Sequence, residues 1–237
     1  SIKGEVINSG KITLQNTPDY PIGTVGPTPT AILINNGTVS PVADVRIGNI
    51  DLAGFSGIGV EISGTNQTPL TNVNIDGSGG VVSLSGSYNK GIVVSAPVGV
   101  SAVNGLVGNI KNLNFELNSN NGSAFEINLT SGENILIDND LIQSIVLGEN
   151  ALNSSLILNN GSNLTIDNSL ANAITNNAGS NNIVLANASG TITNYMSIFI
   201  GDGTKSGIAI SNGYTNGPST QVINYGDIII NSKIDPI

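Results

Sequence analysis

Along this chain apolar residues recur two positions apart, with small or polar residues between them. That is the pattern of a half-buried strand, whose side chains alternate between two faces. It begins at Ile12/Leu14, Ile58/Val60/Ile62, Val73/Ile75, Val82/Leu84 and Ile92/Val94. It continues at Leu113/Phe115/Leu117, Phe125/Ile127/Leu129, Ile135/Ile137, Ile145/Leu147, Leu156/Leu158, Leu164/Ile166 and Ile183/Leu185. It ends at Met196/Ile198/Ile200, Ile208/Ile210 and Ile228/Ile230. The opposite phase holds Glu61, Asn74, Ser83, Asn114, Glu116, Glu126, Asn128, Thr165 and Ala209. From Leu113 onward a strand is predicted about every ten residues, with Asn-Gly, Ser-Gly, Asp-Gly or Asn-Asn turns between. No window carries a sustained 3.6-residue period. Only Asn168 to Ala178 has room for a helical turn, and its Asn content works against one.

Short strands at this spacing suit a sandwich, a barrel or a parallel β-helix. Internal repeats decide between them. Val6-Ile-Asn-Ser-Gly-Lys-Ile-Thr-Leu14 returns as Val222-Ile-Asn-Tyr-Gly-Asp-Ile-Ile-Ile230, with a shorter echo at Asn35 to Val39. Gly-Ile-x-(Val/Ile) occurs at Gly57, Gly91 and Gly207. Leu/Val-x-Ile-Asp, with Ile at its first position once, ends at Asp76, Asp138 and Asp167. One strand-turn unit at both extremes suits a stack of similar coils better than a closed barrel. In such a stack like side chains lie over like, about 4.8 Å apart, giving aliphatic ladders inside and amide ladders at the turns. Asn and Gly suit the corners because both tolerate positive φ. The predicted fold is an all-β, single-stranded parallel β-helix. At roughly 20–28 residues per coil it would have about 9–11 coils and a length near 50 Å. The whole of 1–237 reads as one β-helix cut from a longer repeat array. Residues 17–30, with four of the nine prolines, read as a loop projecting from it. A smaller excursion lies at 212–219.

Composition narrows the chemistry. Charged residues are 10%, and there is no His, Cys or Trp and a single Arg, Arg46. Disulfides, zinc clusters and Cys- or His-based nucleophiles are thereby excluded. Seven Lys/Arg against sixteen Asp/Glu, a net charge of −9, make no phosphate-binding face, so no nucleic-acid partner is expected. At 39% hydrophobic residues the chain is too apolar for a disordered one. The most apolar stretch, Gly91 to Gly108, is broken by Pro97 and Asn104, so no membrane insertion is expected. The start at Ser1 suggests a processed product or an excised piece.

The repeats at Val6–Leu14, Gly57–Ser63, Lys90–Val94, Gly207–Gly213 and Val222–Ile230 resemble the passenger domains of type V secreted proteins. These are the autotransporters of Gram-negative bacteria, and the likeness is greatest to their Asn/Ile/Gly-rich adhesins. The resemblance implies a right-handed helix, export across two membranes and display at the outer membrane. It implies adhesion to a host cell-surface protein or glycan or to another bacterium, or self-association.

Turn chemistry competes with a functional role at each acidic position. Asp138-Asn-Asp140 is the best local carboxylate pair for glycoside hydrolysis, with Asp76 and Asp167 at its repeat position and Glu116 and Glu126 able to stack on one face. The plainer reading is that each Asp caps the turn after its strand. Asp138, Asp140 and Asp202 offer oxygens to calcium, but no EF-hand or nonapeptide motif is present. Gly77 to Gly80 lacks the P-loop lysine. No catalytic residue, metal or cofactor is therefore assigned. The binding candidates are three turn tyrosines, Tyr20, Tyr88 and Tyr214, since Tyr supplies contact area at low entropy cost. The expected function is a non-catalytic adhesive rod. The alternatives are a carbohydrate-active β-helix enzyme and a spacer within a larger protein.

Overall fold

The structure, a computed structural model, describes residues 3–15, 28–36, 42–64, 73–96, 110–129, 134–176, 182–200, 204–210 and 220–230. Strands follow in chain order as β1 (Lys3–Ile7), β2 (Lys11–Leu14), β3 (Thr30–Asn36), β4 (Val42–Arg46), β5 (Asn49–Leu52) and β6 (Ile58–Gly64). Next come β7 (Val73–Asp76), β8 (Val82–Ser87), β9 (Lys90–Ala96), β10 (Ile110–Lys111), β11 (Leu113–Asn120) and β12 (Ser123–Leu129). Then come β13 (Asn134–Ile137), β14 (Ile142–Leu147), β15 (Ser155–Ile166), β16 (Ile174–Asn176) and β17 (Asn182–Asn194). The last are β18 (Ile198–Ile200), β19 (Thr204–Ile210), β20 (Gln221–Asn224) and β21 (Ile228–Ile230).

Every pairing between these strands is parallel, and the chain visits three faces in rotation. The first face stacks β1, β4, β7 and β10. The second stacks β2, β5, β8, β11, β14 and β16. The third stacks β3, β6, β9, β12, β15, β17 and β19. Strands β15 and β17 bend through a corner, and their second halves pair with β13 and β20. This is a parallel β-solenoid, with seven coils represented on the third face. A meander or sandwich would need antiparallel neighbours, and none occurs among the described residues.

The expected 9–11 coils are corrected downward. Each coil spends more chain than 20–28 residues: corner hydrogen bonds join Gly57 to Asn89, Gly122 to Ser154 and Asn118 to Asn150 across 32 residues each. Three faces with a corner between each pair need that length. The doubt about helix at 168–178 is also corrected. Asn168–Ala173 forms a 3-10 turn, capped by the Asp167 side chain, with Leu170 and Ala173 buried. The cap and the apolar anchor outweigh the low helix propensity of Asn. Residues 17–27 of the predicted excursion, and 212–219, lie outside the described residues; Thr30 opens β3.

Registers place like side chains over like. On the second face Leu14, Leu52, Leu84, Leu117 and Leu147 form one column. On the third, Ile32, Val60, Ile92, Phe125, Ile157 and Leu185 form another. From Val60 to Leu185 these are at most 1% exposed. Each such side chain stabilises the fold by about 1.5–3 kcal/mol relative to exposure. The two phenylalanines need room. A Cβ at Gly91 would lie 2.9 Å from Phe115 Cε1 and would also run into the Ala124 carbonyl, so only glycine fits.

The inward corners are polar, and most of their buried side chains are paired, Asn120 Oδ1 and Ser162 Oγ excepted. Asn89, fully buried, accepts from the Gly57 N–H at 2.7 Å and donates to the carbonyls of Gly54 (2.9 Å), Leu52 (3.3 Å) and Ser85. In the coil two steps on, Ser154 takes the same role, accepting from the Gly122 N–H at 2.9 Å. At the third corner Asn159 donates to Asn187 Oδ1 at 2.9 Å. Inside and outside positions should respond differently to truncation. Leu117→Ala, in the leucine column, should cost about 2–5 kcal/mol in urea unfolding. Leu136→Ala, at a position 53% exposed, should change stability by no more than about 0.5 kcal/mol.

Candidate functional site

The corner between the second and third faces is built the same way in four successive coils. Ser56, Tyr88, Asn121 and Asn153 each take a positive φ, of 58°, 59°, 53° and 54°. The backbone locks them: Ser56 N–H donates to Ser87 O at 2.9 Å, Tyr88 N–H to Asn120 O at 2.7 Å and Asn121 N–H to Leu152 O at 2.8 Å. Asn tolerates this conformation readily, whereas a bulky side chain such as Tyr adopts it at a cost. Directly inside Tyr88 lies the buried Asn89, whose four hydrogen bonds hold the corner in place.

Tyr88 thus projects from a rigid base. It meets Phe55 of the preceding coil edge to face, with ring centroids 5.1 Å apart and planes at 61°. The pair stays 48% and 47% exposed. An aromatic pair of this geometry contributes about 0.5–1.5 kcal/mol beyond burial, and about half of each ring remains exposed. Tyr20 and Tyr214, the other two binding candidates, lie outside the described residues. A second pair was not among the candidates. Tyr195 and Tyr225 stack at 5.1 Å and 11°, at the corner between the first and second faces. Its signal was the Asn-Tyr dipeptide at 194 and again at 224.

The carboxylates are placed by their turns. Asp76 Oδ1 accepts from the Ser78 N–H and from Asn112 Nδ2, both at 2.9 Å, and Lys111 stands 3.9 Å from its other oxygen. Asp167 accepts from the Ser169 N–H at 2.9 Å, and Asp138 from the Leu141 N–H at 3.0 Å. Asp140 is exposed, and its carbonyl accepts from the Asn112 N–H at 2.9 Å. Asp202 lies outside the described residues. Glu116 and Glu126 do not share a face: Glu116 on β11 belongs to the second and accepts from Ser83 Oγ at 2.8 Å. Glu126, on the third, is 4% exposed and held by Lys90 at 2.8 Å, Ser123 at 3.0 Å and Asn128 at 2.7 Å. Its column neighbour Val93 pairs in turn with Glu61, a proximity that local sequence spacing does not reveal.

Among the described residues no group of three or more His, Cys, Asp or Glu could hold a metal ion. Nor is any helix among them long and apolar enough to cross a membrane. No family model, no curated protein and no solved structure matches the chain.

The Asn112 amide, then the Ser78 N–H and more weakly Lys111, hold the Asp76 carboxyl below the usual aspartate range. The Ser169 backbone and hydroxyl do the same for Asp167. A carboxyl whose folded pKa is lowered favours the fold above its unfolded pKa. That contribution is lost as pH falls through the folded value. Stability should therefore drop below about pH 4. The drop in urea midpoint between about pH 7 and about pH 2.5 should be smaller for Asp76→Asn than for the parent protein.

Proposed function

We propose that this chain is a non-catalytic binding rod of the autotransporter-passenger kind, an adhesin segment carried on the surface of a Gram-negative bacterium. Its partner would be a host cell-surface protein or glycan, or the surface of another bacterium. The observation that carries this reading is the Phe55–Tyr88 pair: two half-exposed rings on the flank, one held at φ +59°. Backbone strain retained under a protruding aromatic side chain is characteristic of recognition sites. A solenoid also suits the task, because each outward residue is fixed by the coils on either side. A sugar ring or an apolar side chain can lie against the aromatic surface without reordering it, which keeps the entropic cost of binding low. Tyr20 and Tyr214 would add contacts from their own segments. The glycan-cleaving alternative draws less support, since the carboxylates of Asp138, Asp76 and Asp167 already cap their turns.

Tyr88→Gly isolates the ring, because glycine accepts a positive φ without strain and so preserves the corner. Combined with Phe55→Ala, it should weaken binding to whole cells or to arrayed glycans by about tenfold or more, while circular dichroism shows the variant still folded. Undiminished binding by the folded variant would refute the aromatic contact. A parent protein that binds no cell or glycan would instead be a spacer.

A further inference from the structure

The corner that carries Phe55 and Tyr88 continues through two further coils. Asn120 and Asn121 take the places of Ser87 and Tyr88 one coil later, and Leu152 and Asn153 take them in the coil after that. The Tyr88 N–H donates to Asn120 O at 2.7 Å, and the Asn121 N–H to Leu152 O at 2.8 Å. These bonds hold the coils one rung apart, about 4.8 Å along the rod. Leu152 is 37% exposed. The outer edge of the corner therefore runs from an aromatic pair, over two asparagines, to an apolar side chain.

The two asparagines are unlike their neighbours. Asn89 accepts from the Gly57 N–H, Asn114 donates to Asn112 O and Asn118 accepts from the Asn150 N–H, so these amides are spent within the rod. Asn120 Oδ1 is buried with no hydrogen-bond partner. The Asn121 side chain, half-buried, makes no hydrogen bond among the described residues. A buried acceptor without a donor costs free energy. A ligand hydroxyl toward which the Asn120 side chain turns would recover it.

Charge narrows the ligand. Residues 53–57, 85–89, 118–122 and 150–154, the four turns of this corner, contain no Asp, Glu, Lys or Arg. The charges next to them in the chain are Glu149, ahead of the fourth turn, and Lys90, past the second, which Glu126 holds at 2.8 Å. A charged partner finds no counter-charge on this edge, and the net charge of −9 repels an anionic one. A protein surface would bring charged groups that stay unpaired here.

We propose that this corner binds a neutral glycan laid along the rod axis over three coils. The proposal rests on the adhesive reading above and names its ligand class. Phe55 and Tyr88 take the C–H face of one sugar ring. Asn120 and Asn121 take hydroxyls of the next unit, and Leu152 lies against a third. A pyranose unit is close in length to one rung, so consecutive units meet consecutive coils. The backbone bonds fix this surface before the ligand arrives, which keeps the entropic cost low.

The test is binding of the 237-residue protein to arrayed neutral hexose and N-acetylhexosamine oligosaccharides of increasing length. Their sulfated and sialylated counterparts, and host-cell membrane proteins stripped of glycans, complete the panel. The expected result is binding to neutral glycans that strengthens up to three units, one for each coil, and is level beyond. Asn120→Ala removes an unpaired oxygen, and Asn121→Gly keeps the positive φ. Each should weaken binding by about three- to tenfold, the worth of one hydrogen bond, while circular dichroism shows both folded. Undiminished binding by both variants would overturn the proposal, as would a preference for anionic glycans or for stripped protein. Cell binding lost on combining Tyr88→Gly with Phe55→Ala would then leave the adhesive reading in place. A parent protein that binds no probe and no cell would overturn both.

Discussion

The fold rests on the contact between one coil and the next. In a parallel solenoid the backbone N–H and C=O groups of a coil find their partners in the coils above and below it. A single coil therefore has neither a closed core nor satisfied backbone groups. What makes adjacent coils compatible is that each column keeps its character from rung to rung. The leucine column from Leu14 to Leu147 does so with one residue type. The column Ile34, Ile62, Val94 and Ile127 changes to Asn159 and Asn187. That change is tolerated because two successive rungs make it together. Asn159 donates to Asn187 and to the carbonyls of Ser162 and Ser189, so the buried amide is paired. A lone Asn between two aliphatics would leave its amide unmet, at a cost of about 1–3 kcal/mol.

The corners obey the same rule. At the second-to-third corner a polar side chain in one coil serves a glycine N–H in the coil before it: Asn89 to Gly57, Ser154 to Gly122. Glycine and polar residue thus alternate along the rod, each making space or supplying an acceptor for the other. This arrangement lets a bulky Tyr88 occupy a position that Asn121 and Asn153 fill in later coils. The conformational penalty at Tyr88 is borne by the network beneath it.

The strands were legible because one face of each is buried, and a period of two follows from that alone. The stack was legible from the paired motifs at Val6 and Val222. The coil length was not, although the information was present. Ile135 to Asp138 and Leu164 to Asp167 are consecutive rungs of one ladder, so their separation is one coil. The spacing of about ten residues counts strands, and a coil needs three of them. The roles of Asp76, Asp138 and Asp167 in turns followed from local chemistry, since the partner lies two or three residues on. The aromatic pairs did not. Phe55 meets Tyr88, and Tyr195 meets Tyr225, only because the chain returns one coil later. Such contacts are visible from sequence only when the coil length is known.

The depth of the third face has a mechanical meaning. Its seven strands form one continuous ladder, but each rung is bonded only to its two neighbours. Tension applied along the axis is carried in series through every rung, and the weakest junction sets the yield point. Once that junction opens, the coil released can pay out its contour as slack before the next one is loaded. A pulled molecule would give way stepwise, absorbing work at each event, and would re-form from whatever stack remained as a template.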